Sequence, residues 1–337
     1  MINVDNSPEK RIFYLKEFEN NVDFQKLKTD IVNMIKNKKY KNLITLKNKK
    51  YSDQFSVFIF YKAIKKSINQ IGNLTIRRKL QQLDWFKVLV GDILEIRELI
   101  KNNNNNNKIL VNSKLHNFSN YKDIFEKLYK NQLSGKDELK KEFFNLFEDI
   151  NVCPYCNRNF INPIYKNTNL GGDNKKQSPD IEHFFPKSLY PFLSLSISNL
   201  LPSCAFCNKI KSDVDTYKHN CLSPYEVKED DFVFDFELKD SNVKNVTLIS
   251  KNGNKNSEVL HIKALYNEVH RNYINEIFDD VLKYPNTYKN ALTNKFDILE
   301  ADYKNIFRNY YNEKDFNKQP LSKMTKDLMK KIKKFAN

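Results

Sequence analysis

Cys153-Pro-Tyr-Cys156, Asp180-Ile-Glu-His-Phe-Phe-Pro-Lys187 and Cys204-Ala-Phe-Cys207-Asn-Lys-Ile-Lys211 are the stretches that decide how this chain folds. Two C-x-x-C pairs supply four thiolates, enough to complete the closed tetrahedral shell of a structural zinc. Zinc ribbons commonly leave about 15 to 20 residues between such pairs. Here residues 157–203 intervene, 47 in all, which is room for a functional insert. A zinc on Cys153, Cys156, Cys204 and Cys207 would pin both ends of that insert at one point. Binding of this kind contributes roughly 10 to 16 kcal/mol in small zinc peptides. On this reading the zinc organises a site and takes no part in the chemistry.

Within the insert, Glu182 and His183 adjoin near the end of a short strand expected over residues 179–184. Successive strand residues point to opposite faces. That would set the Glu182 carboxylate on a hard divalent cation and the His183 imidazole on the side of an incoming phosphate and water. Asp180 shares the Glu182 face and is a candidate helper ligand. Asn208 directly follows a cysteine ligand at the start of a helix expected over residues 205–214, so the zinc would fix its carboxamide. Glu182 and Asn208 can then share a Mg2+ or Mn2+, with water and substrate phosphate completing the octahedron. A histidine with the ordinary pKa of about 6.5 suits a general base at neutral pH. Lys187, Lys209 and Lys211 lie close in sequence and are candidate nucleic-acid contacts, although solvated lysines are an equally good account of each.

The order C-x-x-C, acidic residue–His183, Asn199-Leu, C-x-x-C-Asn208 resembles the zinc-containing branch of the HNH endonucleases, over about residues 152–213. The resemblance implies a ββα-metal unit in which His183 activates water and Glu182 and Asn208 hold the catalytic cation. It also implies that Asn199 braces the loop between them. Glu182 is a departure, because most members carry aspartate before the histidine. The wider wording, Ile181-Glu-His-Phe-Phe-Pro-Lys-Ser188 and Asn199-Leu-Leu-Pro-Ser-Cys204, is similar to HNH proteins of bacterial anti-phage defence loci, the Septu type among them. That similarity implies a defence role beside an ATPase or other partner protein. A DNA nuclease endangers its own cell, so inhibition or dependence on a partner is expected.

The flanks read as helical. In residues 74–100, apolar residues at steps of three and four describe one core-facing helix. Shorter runs of the same kind occupy residues 24–35, 55–71, 124–133 and 139–147, and the asparagine run 102–107 reads as a solvated loop. From residue 151 prolines and glycines punctuate short segments, with an exposed loop expected over residues 166–178. Residues 232–238 alternate apolar and polar and can pair with residues 243–249 as a hairpin. Helical periods return over residues 260–282, 288–299 and 321–335. The last run carries Lys323, Lys326, Lys330, Lys331, Lys333 and Lys334 around a set of apolar residues, and it suits either docking on the core with its lysines in water or lying on DNA or a membrane. The expected fold is α+β, mainly α, in three parts: a helical region 1–150, a nuclease core 151–225, and a hairpin with helices over 226–337.

Over the 337 residues Lys and Arg outnumber Asp and Glu 57 to 41, a net charge of +16. Such a charge favours a polyanion partner such as DNA, although heavy use of Asn, Lys and Ile can equally reflect an AT-rich genome. Four of five cysteines in C-x-x-C pairs suit a reducing compartment, and no apolar run approaches the roughly 20 residues that span a bilayer. A cytoplasmic location is therefore expected, with no membrane partner. His116, His261 and His270 read as surface or packed histidines, and His219 with Cys221 as a weak second metal pair. Two other functions fit the same residues: a zinc module that binds nucleic acid or protein without cutting, and an RNase.

Overall fold

In residues 74–100 the apolar face is unbroken, yet the backbone turns twice. The structure, a computed structural model, describes residues 1–105, 118–163, 179–239, 242–283, 291, 294–295 and 316–336. It divides the expected long helix into α3 (Leu74–Gln82), α4 (Trp85–Val90) and α5 (Ile93–Asn105). Local capping explains the breaks. The Asp84 side chain accepts from the Lys87 amide at 3.2 Å and starts α4 afresh. Asp92 and Glu95 then exchange side-chain acceptors with each other's amides at 2.9 and 3.0 Å, a reciprocal N-terminal box that starts α5. Between them Gly91 is tight, because a Cβ there would lie 2.5 Å from the Lys87 carbonyl oxygen. Side-chain periodicity reports the face that is buried and is blind to such caps. The asparagine run departs from expectation too: Asn102 to Asn105 extend α5, and Asn103 donates to the Leu99 carbonyl at 2.8 Å. The rest of that run lies outside the described residues.

Ahead of these helices stand α1 (Val22–Lys36) and α2 (Ser56–Ile68), and after them α6 (Phe118–Tyr129) and α7 (Asp137–Asn145). The Asn21 side chain caps α1, whose Phe24, Leu27, Ile31 and Ile35 are buried at helical spacing. The expected runs at 24–35, 55–71, 124–133 and 139–147 are all helical over most of their length. The punctuated region yields β1 (Asp180–His183) and β2 (Leu200–Ser203), paired antiparallel with Glu182 opposite Leu201 and His183 opposite Leu200. β2 leads into α8 (Ala205–Lys211), which stops three residues short of the expected end, at Ser212 in a left-handed backbone region, φ 43°. The expected exposed loop at 166–178 lies outside the described residues.

β3 (Phe232–Lys239) and β4 (Asn242–Ser250) form the expected hairpin, with Phe232, Phe234 and Phe236 buried on one face. The helices α9 (Asn256–Val259), α10 (Ile262–Val269), α11 (Arg271–Lys283) and α12 (Ser322–Ala336) follow among the described residues; most of the expected helix at 288–299 is outside them. α12 lays Met324, Leu328 and Ile332, all fully buried, against β3 and α11. Each such side chain contributes roughly 1.5 to 3 kcal/mol on leaving water. Its lysines are less solvated than expected: Lys323 is buried and pairs with Asp327 at 2.7 Å, Lys326 pairs with Glu229, and Lys331 meets Asp235. The result is a mainly helical α+β protein with two small antiparallel sheets among the described residues. A continuous apolar core reaches from Met1 to Ile332 and includes the four paired cysteines.

Candidate functional site

β1, β2 and α8 bring the two cysteine pairs and the acidic–histidine pair to one place. The four Sγ atoms of Cys153, Cys156, Cys204 and Cys207 lie within 4.8 Å of one another and are buried. A tetrahedral zinc with bonds of 2.3 Å separates its sulfurs by about 3.8 Å, and Cys156 and Cys204 already stand 3.9 Å apart. The donor set therefore fits zinc. Backbone amides of Cys204 and Cys207 donate to the sulfurs of Cys153 and Cys204 at 3.4 and 3.5 Å, as thiolate ligands require. Asn157, φ 51°, turns the chain sharply behind the first pair.

Beside this cluster a cleft of about 480 Å³ is lined by Tyr129, Asp180, Glu182, His183, Lys187 and Asn208, among others. His183 is almost fully buried, and its Nε2 lies 3.0 Å from the Ser194 carbonyl oxygen. A carbonyl can only accept, so Nε2 carries the proton and Nδ1 keeps a free lone pair. The Tyr129 ring from α6 packs edge-on to the imidazole with centroids 4.7 Å apart. Burial pushes the His183 pKa down to about 3. This corrects the expectation of an ordinary histidine near 6.5: the ring is a neutral base throughout the physiological range.

Asn199 is fully buried and holds the intervening loop by both ends of its carboxamide. Its Oδ1 accepts from the Phe185 amide at 2.7 Å, while its Nδ2 donates to the carbonyls of Phe185 and Leu193 at 3.0 and 3.2 Å. Leu193 precedes the residue that orients His183, so Asn199 positions the imidazole from a distance.

Glu182 and Asp180 both border the cleft, and so do Ile181 and His183, so the expected separation of Glu182 and His183 onto opposite sides is not seen in the cleft lining. Asn208 Nδ2 donates to Asp180 at 2.9 Å, which joins α8 to β1 and turns the carboxamide oxygen elsewhere. Glu182 is buried, and burial raises its pKa to about 7 against the pull of Lys211. Lys211 Nζ lies 2.7 Å from Glu182 Oε1. Lys211 is thus not placed as the solvated phosphate contact the sequence suggests; its side chain is 1 % exposed and turned inward. Lys209 is exposed, and Lys187 stands over the Tyr129 ring at 5.0 Å.

Sequence reasoning missed Tyr129, Ser194 and the partner of Lys211. Tyr129 comes from a helix more than fifty residues away, and Ser194 acts through its backbone; neither leaves a motif. Lys211 was findable, since it lies one helical turn past Asn208 on the same face. Other candidates fall away from the cleft. Cys221 Sγ faces the backbone carbonyl of His219 at 3.9 Å, and His219 is exposed. His270 accepts from Arg158 Nε at 2.6 Å and is held neutral, its pKa about 4, by burial and that guanidinium. His261 is exposed, and His116 is outside the described residues.

The fold and site thus define a mainly helical α+β protein that can hold a zinc with four thiolates beside a carboxylate–imidazole cleft. The chain is similar to the Septu protein PtuB of Bacillus thuringiensis, 28% identical over 137 residues, which cover 40% of this chain and 45% of that protein. It is also similar to protein ea31 of Escherichia phage lambda, 32% identical over 110 residues, 31% of each chain. The matches thus span less than half the length of either relative. No protein-family model and no solved structure matches the chain. No described helix is long and apolar enough to cross a membrane.

Proposed function

We propose that the protein is a cation-dependent HNH endonuclease that hydrolyses DNA phosphodiester bonds and serves in anti-phage defence. The observation that carries this reading is the neutral His183, held through Nε2 by the Ser194 carbonyl and lining one cleft with Glu182, Asp180 and Asn208. Three oxygen-bearing side chains suit Mg2+ or Mn2+, which usually keeps several waters and a substrate phosphate. Such a cation would neutralise charge developing on the phosphate and on the departing 3′ oxygen. The chain's own residues do the rest. His183 takes the proton of the attacking water, worth typically about 10² to 10⁴ in rate; Ser194 and Tyr129 hold the ring, and Asn199 holds the loop that carries Ser194. Glu182 and Asn208 would hold the cation with Asp180 as the adjoining carboxylate, Lys209 and Lys187 would meet the phosphate backbone, and a zinc on the four cysteines would fix α8 against β1.

The defence role and a partner protein, an ATPase in the Septu arrangement, rest on the similarity to PtuB and on the need to restrain a nuclease. A cytoplasmic site of action and the division into residues 1–150, 151–225 and 226–337 belong to the same proposal. The rival reading, a zinc module that binds without cutting, has one observation in its favour: Lys211 already compensates Glu182. The test is cleavage of supercoiled DNA, linear duplex, single strands and RNA by zinc-loaded protein with Mg2+ or Mn2+. Wild type should nick or cut DNA, and His183→Ala should lose at least about 10²-fold in rate with its zinc content unchanged. Equal cleavage by the variant would falsify the role of His183, and RNA-only cleavage would reassign the substrate.

A further inference from the structure

Lysine is among the residues least often buried, and it is buried chiefly when paired. Lys211 is the last residue of α8, only 1 % exposed, with Nζ 2.7 Å from Glu182 Oε1, and Glu182 itself is 5 % exposed. Its other polar contact is the Ser212 carbonyl at 3.2 Å. Glu182 Oε1 is buried and accepts no hydrogen bond of good geometry, so the ammonium charge is what compensates it. The same carboxylate borders the cleft with Asp180 and Asn208. An ammonium and a divalent cation on one buried carboxylate repel each other strongly where the effective dielectric is low.

We propose that Lys211 and the catalytic cation compete for Glu182, so that the lysine sets the cation concentration at which the site becomes active. The inference rests on the nuclease reading for its biological meaning, but it concerns binding alone. Lys211 is a positioning residue: it never meets the reacting atoms. Its place at the very end of α8 lets the flexible four-carbon stem re-aim Nζ without unwinding a helical turn. Ser212 and Asp213, which follow it, also line the cleft, so the displaced ammonium has a polar route toward the phosphate side. Cation and substrate then favour each other, because a bound phosphate offers the lysine a second anion. The device separates zinc-dependent folding from cation-dependent activation: the zinc site is complete without Glu182.

The test is Mn2+ titration of full-length, zinc-loaded protein, read by electron paramagnetic resonance, together with thermal melting. Lys211→Met should bind Mn2+ at least about tenfold more tightly than wild type, as expected when a competing charge leaves a buried carboxylate. It should also melt lower without Mn2+ and gain more from Mn2+ than wild type does. Lys218→Met, at an exposed lysine that does not line the cleft, controls for the loss of one positive charge and should bind Mn2+ as wild type does. Unchanged or weaker Mn2+ binding by Lys211→Met overturns the proposal, as does absence of a Mn2+ site in both proteins. If Lys211→Met loses its zinc, Lys211→Arg replaces it: a bulkier, permanently charged group should bind Mn2+ no more tightly than wild type, and tighter binding would overturn the competition. Tighter binding by Lys211→Met without DNA cleavage by either protein would support the competition and count against the nuclease.

Discussion

At the scale of the residue, the site depends on two titrating neighbours displaced in opposite directions. Burial holds His183 at about 3, below its ordinary 6.5, and raises Glu182 to about 7, above its ordinary 4.5. As pH falls through 6.5 the unfolded chain protonates this histidine and the folded chain does not, so the stability His183 contributes above 6.5 is lost toward 3. Glu182 works the other way: the folded chain takes up its proton first, and stability is gained as pH falls from 7 to 4.5. The two oppose each other between 4.5 and 6.5. Replacing His183 with Gln removes only the first. The stability gap between wild type and His183→Gln should therefore shrink, in favour of the variant, by up to about 2 kcal/mol between pH 7.5 and pH 5. Denaturant unfolding at the two pH values measures it, and a gap that stays constant would mean that His183 titrates as an ordinary surface histidine. Residue identity was legible in the sequence for His183, Glu182, Asn199 and Asn208, because each has its chemistry in its side chain. The state of those residues was not legible: burial sets the His183 pKa, and the walls that bury it come from α6 and from a backbone carbonyl.

At the scale of the element, the first cysteine pair does more than offer thiolates to a metal. Asn157, next after Cys156, accepts from the Lys323 amide at 3.0 Å and the Ser322 hydroxyl at 3.2 Å, and its own carbonyl accepts from the Leu321 amide at 2.6 Å. Its Nδ2 donates to the Phe316 carbonyl at 2.8 Å. The turn after the first cysteine pair therefore caps the start of α12, and α12 in turn packs on β3 of the hairpin. Removal of zinc with a chelator should raise hydrogen exchange at Leu321 and Lys323 well before exchange rises in α1 or α2. Uniform loss of protection would instead show that zinc holds the whole fold and not this junction. Elements were legible where the pattern is periodic: the hairpin follows from Phe232, Phe234 and Phe236 alternating with Val233 and Asp235. Boundaries were lost where a cap intervenes, as at Asp84 and at Asp92 with Glu95, since those side chains look like ordinary exposed polar residues on a helix.

At the scale of the whole molecule, the helices ahead of the site and those behind it converge on the same short ββα segment. α6 supplies Tyr129 to His183 and holds the loop through Tyr121, whose hydroxyl accepts from the Phe192 amide at 3.0 Å. From the other side Tyr225 donates to the Leu200 carbonyl at 2.6 Å, fixing β2. A charge of +16 over the chain is what the proposed polyanion partner would require. On the proposed function one chain would use two metals for separate tasks, a zinc that builds the ββα segment and an exchangeable cation that Glu182 and Asn208 would hold for the reaction. Zinc content and Mn2+ stoichiometry, measured together on wild type and Asn208→Ala, test it most directly. The account predicts one zinc in both proteins, and one Mn2+ in wild type that Asn208→Ala binds at least about tenfold more weakly, the loss of about 1.4 kcal/mol. Equal Mn2+ binding by the two proteins, or zinc lost along with Asn208, would contradict it.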